Sequence, residues 1–430
     1  MNYNNPIPKR TAAFISLSCR VLFCLFSFLY LLCIQNELLA EAHYVYSGGQ
    51  TGYSALWGAT VITMLLLLIQ MTVEYFVRFS GRWYALSFFP SFLVLSMFCC
   101  LNPDVFENFS FGAWAWWGPI LIILYAGFIY ISSYFPDNSI VEQDYHSGRY
   151  LWPNYLILLV MICISASFRK VSDVQMYEYK TERLLVDDNY DEAWQVGIES
   201  LETSPRLNQL RCYALAQKYQ LGEHLFDYPQ LYGLRGLIDI DDTCSLYRFG
   251  SRQICAALGM MPDSIMDGVL HQVPLTDMEY IEYVFQSDTT HENNIVTENN
   301  MNPLRDNPTI HQKLVREYYL CSKLLNRDIK DFSEALKRYY DITNHARIST
   351  LPKAYREALI LEASMIGEDS LSQFCDTAML SLYRGYLDLR HEYGSDSLTV
   401  ERRNYTRRQF GNTLWWFLDN EEAIKETVDE

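Results

Sequence analysis

The chain has few basic residues and none of the short motifs that mark common catalytic sites. Lys and Arg together number 34 against 51 Asp and Glu, so the formal net charge at pH 7 is −17. A surface this acidic repels nucleic acid, which makes DNA or RNA an unfavourable partner. The CxxC, HExxH and GxSxG patterns and a phosphate-binding Gly loop are also missing. These absences predict no cofactor and favour a role other than catalysis.

Apolar runs and acidic residues occupy different parts of the chain. Residues 1–170 hold eight Lys and Arg and eight Asp and Glu, so the whole net charge belongs to residues 171–430. Such a contrast is typical of two unlike parts rather than of one soluble globule. We therefore predict a membrane domain over residues 1–170 and an acidic, soluble domain over residues 171–430, whose partners present basic or neutral surfaces.

Five apolar segments are long enough to cross a bilayer as helices. A hydrocarbon core about 30 Å thick needs about 20 mostly apolar residues in a helix, because lipid cannot satisfy an open backbone. Aromatic residues crowd the ends of the segments, as they do at membrane interfaces. The predicted spans cover residues 11–34, 55–77, 83–101, 113–134 and 150–168.

The charges of the short loops predict the orientation of these spans, since Lys and Arg are enriched on the cytoplasmic side. The loops on one side contain Lys9, Arg10, Arg78, Arg82 and Arg149. The loops on the other side contain Glu37, Glu41, Asp104 and Glu107, with no Lys or Arg. This pattern places the N-terminus in the cytoplasm and the C-terminal domain outside. Arg169 and Lys170, directly after the last span, argue for the opposite placement.

The first span also has features of a cleaved signal peptide. Lys9 and Arg10 precede the apolar run 21–34, and Ala40-Glu41-Ala42 resembles a small-residue cleavage site. Cleavage there would leave four spans and the same outside placement of the C-terminal domain. The sequence leaves both alternatives open.

Two ionisable residues fall inside the predicted spans. Arg20 lies in the first span and Glu74 near the cytoplasmic end of the second. Because a charge inside a bilayer is costly, each side chain either snorkels to the interface or pairs with an opposite charge. Adjacent antiparallel helices would bring these two within reach. We interpret them as snorkelling charges or as a structural ion pair, since transport sites gather several polar groups at mid-membrane.

Beyond residue 170 the apolar residues follow the 3.6-residue period of amphipathic helices. One helix is predicted to open at Asp306-Asn307-Pro308, a cap with Pro at the first helical position. Its buried stripe comprises Ile310, Leu314, Tyr318, Cys321 and Leu325. Similar stripes follow residues 331, 352 and 370, and no run alternates with the period of a strand. The sequence therefore predicts an all-α protein.

The interval 176–205 resembles the second half of a tetratricopeptide repeat. Tyr190 precedes a predicted second helix, Ala193 is the small residue at which paired helices approach, and Pro205 ends the unit. Thr181 and Gly197 depart from the pattern of that family, which has a small residue and a large aromatic residue there. A helical-repeat solenoid and a non-repetitive helical bundle both remain open.

The order of parts, several spans and then a tetratricopeptide-like domain, resembles a family of multi-span membrane proteins from Bacteroidota. The segments 351–359, LPKAYREAL, and 410–417, FGNTLWWF, carry this resemblance. It covers the soluble half best, and the membrane half is short for that family. The resemblance implies the inner membrane of a Gram-negative cell, with the helical domain in the periplasm, and it implies no particular activity.

An acidic triplet and the cysteines offer weaker hypotheses. Asp239, Asp241 and Asp242 could bind a divalent cation through oxygen ligands or form a turn, and without the spacing of a calcium loop we favour the turn. The Asn-rich stretch 286–307 is predicted to be an exposed loop. The cysteines of the soluble half are Cys212, Cys244, Cys255, Cys321 and Cys375. Their odd number implies no disulfide framework.

Two functional hypotheses follow. In the first, which we favour, the spans anchor a helical surface that docks a protein partner at the cell envelope. In the second, the protein is a membrane glycosyltransferase-like enzyme or a carrier that acts on lipid-linked substrates, with Glu37, Glu41 and His43 of the first outside loop as its candidate residues. A cavity lined by Glu37 or Glu41 would favour the enzyme, and an aromatic-lined groove in the soluble domain would favour docking.

Overall fold

The computed structural model describes residues 9–47, 50–77, 83–100, 113–134, 148–167, 171–238, 249–250, 254, 310–340, 342, 345–366, 377–392 and 400–420. All regular structure within these ranges is helical, which confirms the all-α class. The chain divides into two units, Met1–Met176 and Tyr177–Glu430. This division lies close to the change in composition near residue 170. The acidic triplet, Cys244, Cys255, Cys375, the Asn-rich stretch and the cap at 306–308 lie outside the described residues.

The first unit consists of apolar helices. They are α1 (Lys9–Cys33), α2 (Asn36–Ser47), α3 (Ala55–Phe76), a 3₁₀ turn (Tyr84–Phe88), α4 (Phe89–Cys99), α5 (Trp114–Tyr134) and α6 (Gly148–Ser167). By length and composition, two stretches could cross a membrane, Ala12–Cys33 of α1 and the whole of α3. The apolar stretches of α4, α5 and α6 are shorter. The third predicted span is not one α-helix, because a 3₁₀ turn precedes α4 and Pro90 stands in its first turn.

Aromatic rings form the interior of the first unit, where α1 packs against α3 and α6. Phe23 of α1 contacts Phe88 and Phe92, with ring centroids 4.9 and 5.1 Å apart. The outer faces of α1, α3 and α5 are also apolar, and Trp116 and Ile123 of α5 are among their exposed side chains. Water-soluble surfaces rarely present such extended apolar faces, so this surface is suited to lipid.

The second unit contains a set of shorter helices. In chain order these are α7 (Asp173–Val186), which spans the unit boundary, α8 (Tyr190–Ala193), α9 (Pro205–Gln217), α10 (Leu221–His224), a 3₁₀ turn (Gly233–Gly236), α11 (Ile310–Leu325), α12 (Ile329–Tyr339), α13 (His345–Ile348), α14 (Lys353–Ile366), α15 (Thr377–Glu392), α16 (Val400–Phe410) and α17 (Leu414–Asp419).

Helices α11 and α12 form a hairpin whose apolar faces enter the core. Leu314, Tyr318, Cys321 and Leu325 of the predicted stripe are buried. The chain reverses at Arg327, which has a φ of 64°. Asp328 then caps α12, since its Oδ1 accepts the backbone N–H of Asp331 at 3.0 Å. Helix α12 packs in turn against α14.

The second helix of the predicted tetratricopeptide unit is much shorter than the sequence pattern indicates. Helix α8 begins at Tyr190 and ends at Ala193, which is fully buried, and turns follow. Gly197 has a φ of 64°, and a Cβ there would lie 2.7 Å from Cδ2 of Tyr177. An aromatic side chain at position 197 would collide with this ring. Pro205 begins α9 instead of ending a helix, because its fixed φ suits a first helical turn.

Candidate functional site

The second unit contains a cavity of about 140 Å³. Three segments line it, residues 198–201, 226–231 and 407–417. The lining includes four aromatic side chains, Phe226, Tyr228, Trp416 and Phe417. A few polar groups accompany them, which is the usual composition of a binding pocket. The cavity is therefore the candidate site of the second unit.

The junction between α16 and α17 fixes one wall. Gly411 follows α16 directly, and a Cβ there would lie 2.5 Å from the carbonyl oxygen of Arg407, so the turn requires glycine. Thr413 caps α17 by accepting the N–H of Trp416 at 3.3 Å. The indole Nε1 of Trp416 donates to Thr406 Oγ1 at 3.2 Å, and the Arg407 guanidinium lies 5.3 Å from its ring. Trp416 is thus held from both sides.

Phe417 connects this wall with the wall formed by residues 226–231. Its ring centroid lies 5.3 Å from that of Phe226, and the Arg327 guanidinium lies 4.6 Å from the Phe417 ring. Tyr228 is buried with its hydroxyl 3.2 Å from Cys212 Sγ. Burial raises the pKa of both groups, so hydroxyl and thiol stay protonated at neutral pH. Tyr228 and Cys212 thus form a buried, uncharged pair on this side of the cavity.

A charged cluster borders the cavity at Asp227. Its Oδ2 lies 2.7 Å from His224 Nδ1, and its Oδ1 lies 3.5 Å from Lys353 Nζ. Lys353 Nζ also donates to the Asn412 carbonyl oxygen at 2.8 Å. The Lys353 side chain thereby links segment 226–231 to segment 407–417. Asp227 and Arg407 place one charge of each sign in the lining of the cavity.

Two buried carboxyl groups each hold the start of a short helix, and one of these helices, α17, contributes to the cavity wall. Glu357 Oε2 accepts the N–H of Leu414, at the start of α17, at 2.7 Å. Glu317 Oε2 accepts the N–H of Leu221, at the start of α10, at 3.3 Å. Burial raises the pKa of each carboxyl to about 7, although the backbone donors act in the opposite direction. Both groups therefore titrate near neutral pH.

Arg211 is a fully buried cation at the centre of the second unit. Its Nη2 donates to the Val196 carbonyl oxygen at 2.6 Å, and its guanidinium lies 5.1 Å from the Tyr228 ring. Burial lowers the pKa of this group. Cys212 and Cys321 are both buried and free, so among the described residues the soluble half has no disulfide.

In the first unit the structure brings Arg20 and Glu74 together. Arg20 Nη2 donates to Glu74 Oε2 at 2.6 Å. The same oxygen accepts from Gln70 Nε2 at 2.9 Å and from the Tyr84 hydroxyl at 2.8 Å. Sequence reasoning missed Gln70 and Tyr84, although a glutamine in an apolar span four residues before Glu74 was an available signal. Three donors thus meet on one carboxylate oxygen, while Arg20 Nε and Gln70 Oε1 are buried without a hydrogen-bond partner.

Glu37, Glu41 and His43 all lie on α2, but their surroundings differ. Glu41 is buried on the inner face of the helix. His43 Nε2 lies 3.4 Å from Thr51 Oγ1, and its ring lies 5.7 Å from that of Tyr53. The charge of Glu37 contributes to a raised pKa of Tyr53, after the larger effect of burial. Within the described residues no group of three or more His, Cys, Asp or Glu could hold a metal ion.

Over the ranges that the structure describes, the protein is all-helical, with two helices that could span a membrane and a second unit that contains an aromatic-lined site. Residues 277–421 match the model of a family of unknown function (DUF6057). No curated protein and no solved structure matches the chain. The match includes the wall formed by residues 407–417, so the chain is similar to that family across one side of the cavity.

Proposed function

We propose that this protein is a membrane-anchored docking protein whose second unit binds a segment of a partner protein in the aromatic-lined cavity. The observation that supports this function is the cavity itself, with Phe226, Trp416 and Phe417 on its walls. These side chains are already buried in the fold, so they form a preformed apolar wall against which a partner side chain can pack at low entropic cost. The fixed contacts of Trp416 reduce that cost further, since its indole is already ordered before binding.

The volume and charge of the site indicate the chemistry of its occupant. A cavity of roughly 150 Å³ is large enough for a benzene-sized group. The lining includes one acidic residue, Asp227, and one basic residue, Arg407, whereas the net charge of −17 belongs to residues 171–430. A neutral or basic segment with one aromatic or bulky aliphatic side chain satisfies both conditions. An acidic segment would meet the repulsion of the whole unit.

The proposed context is the inner membrane, with five spans, the N-terminus in the cytoplasm and the second unit in the periplasm. The apolar outer faces of α1, α3 and α5 and the one-sided distribution of basic residues in the loops support this arrangement.

We also propose that helix pairs of the α11–α12 kind are the units of a divergent helical repeat. The interval 176–205 is a poor example of such a pair, because α8 has a single turn.

Leu201 offers a test of docking that leaves the core intact. Its side chain lines the cavity and is 61 % exposed, whereas Met365 is 69 % exposed and does not line it. A photo-reactive amino acid placed at position 201 in native membranes should form an adduct with the partner, and one at position 365 should not. A synthetic peptide of the cross-linked segment is then titrated against the purified full-length chain.

We expect Leu201→Arg to weaken peptide binding about tenfold or more, because it places a charge at the mouth of an apolar cavity. Met365→Arg should bind the peptide as the wild type does, and both variants should melt at the wild-type temperature. Equal binding by Leu201→Arg and the wild type, or equal adducts from both positions, would show that the cavity is not the docking site.

A further inference from the structure

The corner between α2 and α3 in the first unit contains several buried polar atoms that the fold does not satisfy. Among the described residues, Asn36 Oδ1, His43 Nδ1 and the Tyr53 hydroxyl have no hydrogen-bond partner. Buried polar groups in folded proteins are nearly always paired, and an unpaired one is destabilising. Three such atoms in one region therefore indicate a place where a bound molecule supplies the missing partners.

These atoms belong to one connected cluster. Asn36 Nδ2 donates to Glu37 Oε1 at 3.4 Å, and the charge of Glu37 acts on the Tyr53 hydroxyl. The Tyr53 and His43 rings lie 5.7 Å apart, and His43 is in contact with Thr51 at 3.4 Å. Glutamate, histidine and tyrosine thus lie near one another between α2 and the segment that precedes α3, and Asn36 joins them through Glu37.

Gly58 holds the Tyr53 ring in this position. A Cβ at residue 58 would lie 2.4 Å from the Tyr53 hydroxyl oxygen and 2.6 Å from two ring carbons. Only glycine permits such close contact between a ring and the first turn of α3. The placement of the hydroxyl beside Glu37 and His43 is therefore built into the local sequence. At Gly52, by contrast, a Cβ would have no described atom within 4 Å.

The chemistry of the cluster selects a neutral ligand that both donates and accepts hydrogen bonds. Residues 34–77 contain no Lys or Arg, so nothing in this part of the sequence attracts an anion. The raised pKa of Tyr53, due first to burial, keeps its hydroxyl a donor, while Asn36 Oδ1 is an acceptor. Tyr46 and Trp57, which are 62 % and 69 % exposed, offer amphipathic rings at the edges of the same segment.

We propose that the α2–α3 corner binds a neutral saccharide, through hydroxyl contacts with Asn36, His43 and Tyr53. A sugar hydroxyl can donate one hydrogen bond and accept another, and this cluster contains both a donor and an acceptor without a partner. The apolar faces of a sugar ring suit stacking on exposed aromatic side chains. An ammonium group could interact with Glu37 and the aromatic rings, but it has no acceptor for the Tyr53 hydroxyl. The phosphate of a phospholipid headgroup could accept from Tyr53, but the charge of Glu37 would repel it. The saccharide is either free or the headgroup of a membrane lipid.

The test uses the full-length protein in nanodiscs of phosphatidylethanolamine and phosphatidylglycerol. Free methyl glucoside, N-acetylglucosamine and N-acetylgalactosamine are probed by saturation-transfer NMR, and monoglucosyl diacylglycerol in the disc is probed by native mass spectrometry. We expect at least one probe to bind. Tyr53→Phe should weaken that binding about five- to tenfold, the loss of one hydrogen bond, without lowering the melting temperature. Tyr75→Phe, at an 80 % exposed tyrosine near the other end of α3, is the matched control and should bind as the wild type does.

A second variant tests the placement of the ring. Gly58→Ala should displace Tyr53 and weaken the same binding while circular dichroism remains helical. Binding of the glycolipid alone would assign the site to a lipid headgroup, and binding of the free sugars to a soluble saccharide. The proposal is overturned if no probe binds, if Tyr53→Phe binds as tightly as the wild type, or if only phosphatidylethanolamine is retained.

Discussion

Glu317 and Glu357 combine two properties that rarely occur together: both carboxyls are deeply buried, and each accepts the first backbone N–H of a short helix. Their positive neighbours are few. Lys353 and Arg356 act on Glu357, and Asp227 opposes them. Arg316 acts on Glu317. Because burial outweighs these charges, the ionised form of each carboxyl is disfavoured in the folded protein. The wall formed by α17 therefore depends on Glu357, a group that titrates near neutrality.

The stability of the second unit should fall as the pH rises. Each carboxyl has an ordinary pKa of 4.5 and a folded pKa of about 7, so the folded state holds its proton more tightly. The stabilisation is fully present below pH 4.5 and is lost as the pH rises through 7. We expect Glu357→Gln to flatten this fall by a few kcal/mol, at about 1.4 kcal/mol per pKa unit. Urea unfolding of the full chain between pH 5 and 8 measures the effect.

Glu334→Gln on α12 is the control, because Glu334 is exposed. It should leave the pH dependence of unfolding as in the wild type. If Glu357→Gln shows the same slope between pH 5 and 7 as the wild type, burial of this carboxyl has no thermodynamic consequence.

At the scale of single residues, charge and spacing in the sequence were informative only for near neighbours on adjacent helices. Arg20 and Glu74 could be paired from the geometry of two antiparallel spans. Tyr53 could not be assigned to the α2–α3 corner, because its position depends on contact with Gly58 and on the helix α2, which no sequence pattern predicted. Trp416 belongs to a segment that carries the family resemblance, but its role as a cavity wall requires segments 198–201 and 226–231, which are far away in sequence.

Helices could be predicted from the sequence where the amphipathic period of the apolar residues and a capping residue indicated the same helix. The stripe of α11 and the Asp328 cap of α12 follow from local rules. The interval after Ala193 is different, since its residues permit a helix by pattern while Gly197 adopts a φ of 64° under the Tyr177 ring. Tertiary packing there overrides the local pattern, and no local signal specifies which ring will occupy the space.

Gly197→Ala tests this explanation of the short helix α8. The substitution introduces a left-handed alanine and a Cβ 2.7 Å from Tyr177, so it should destabilise the protein by about 1–3 kcal/mol. Gly52→Ala, which has a φ outside the left-handed region, should change stability far less. Thermal unfolding reports both. The double variant Tyr177→Ala with Gly197→Ala separates the clash from the backbone strain, because only the clash is relieved. Equal stability of both single variants would contradict the structure at this turn.

For the whole molecule, the separation of charge from apolar length specifies where each unit can exist. Residues 1–170, which are neutral and have apolar outer faces, are suited to lipid, and residues 171–430, which carry all of the net charge, are suited to water. Composition is a sum over residues, so this conclusion does not depend on the exact prediction of each element. The third predicted span, for example, is divided into a 3₁₀ turn and α4. The side of the membrane on which the second unit lies rests instead on a few loop charges.

The orientation can be decided at the junction of the two units. We expect alkaline phosphatase fused after Val171 to be active, which reports a periplasmic location, and the same reporter fused after Arg82 to be inactive. The reason is the concentration of loop Lys and Arg on one side, which outweighs the local pair Arg169-Lys170. Replacing that pair with glutamines should leave both reporter activities unchanged. A reporter that fluoresces only in the cytoplasm gives the reciprocal pattern. Fluorescence after Val171 would show that the topology is reversed and that the docking cavity lies in the cytoplasm. If this reversed topology occurred with Arg169 and Lys170 but not with glutamines in their place, these two residues would be its determinant.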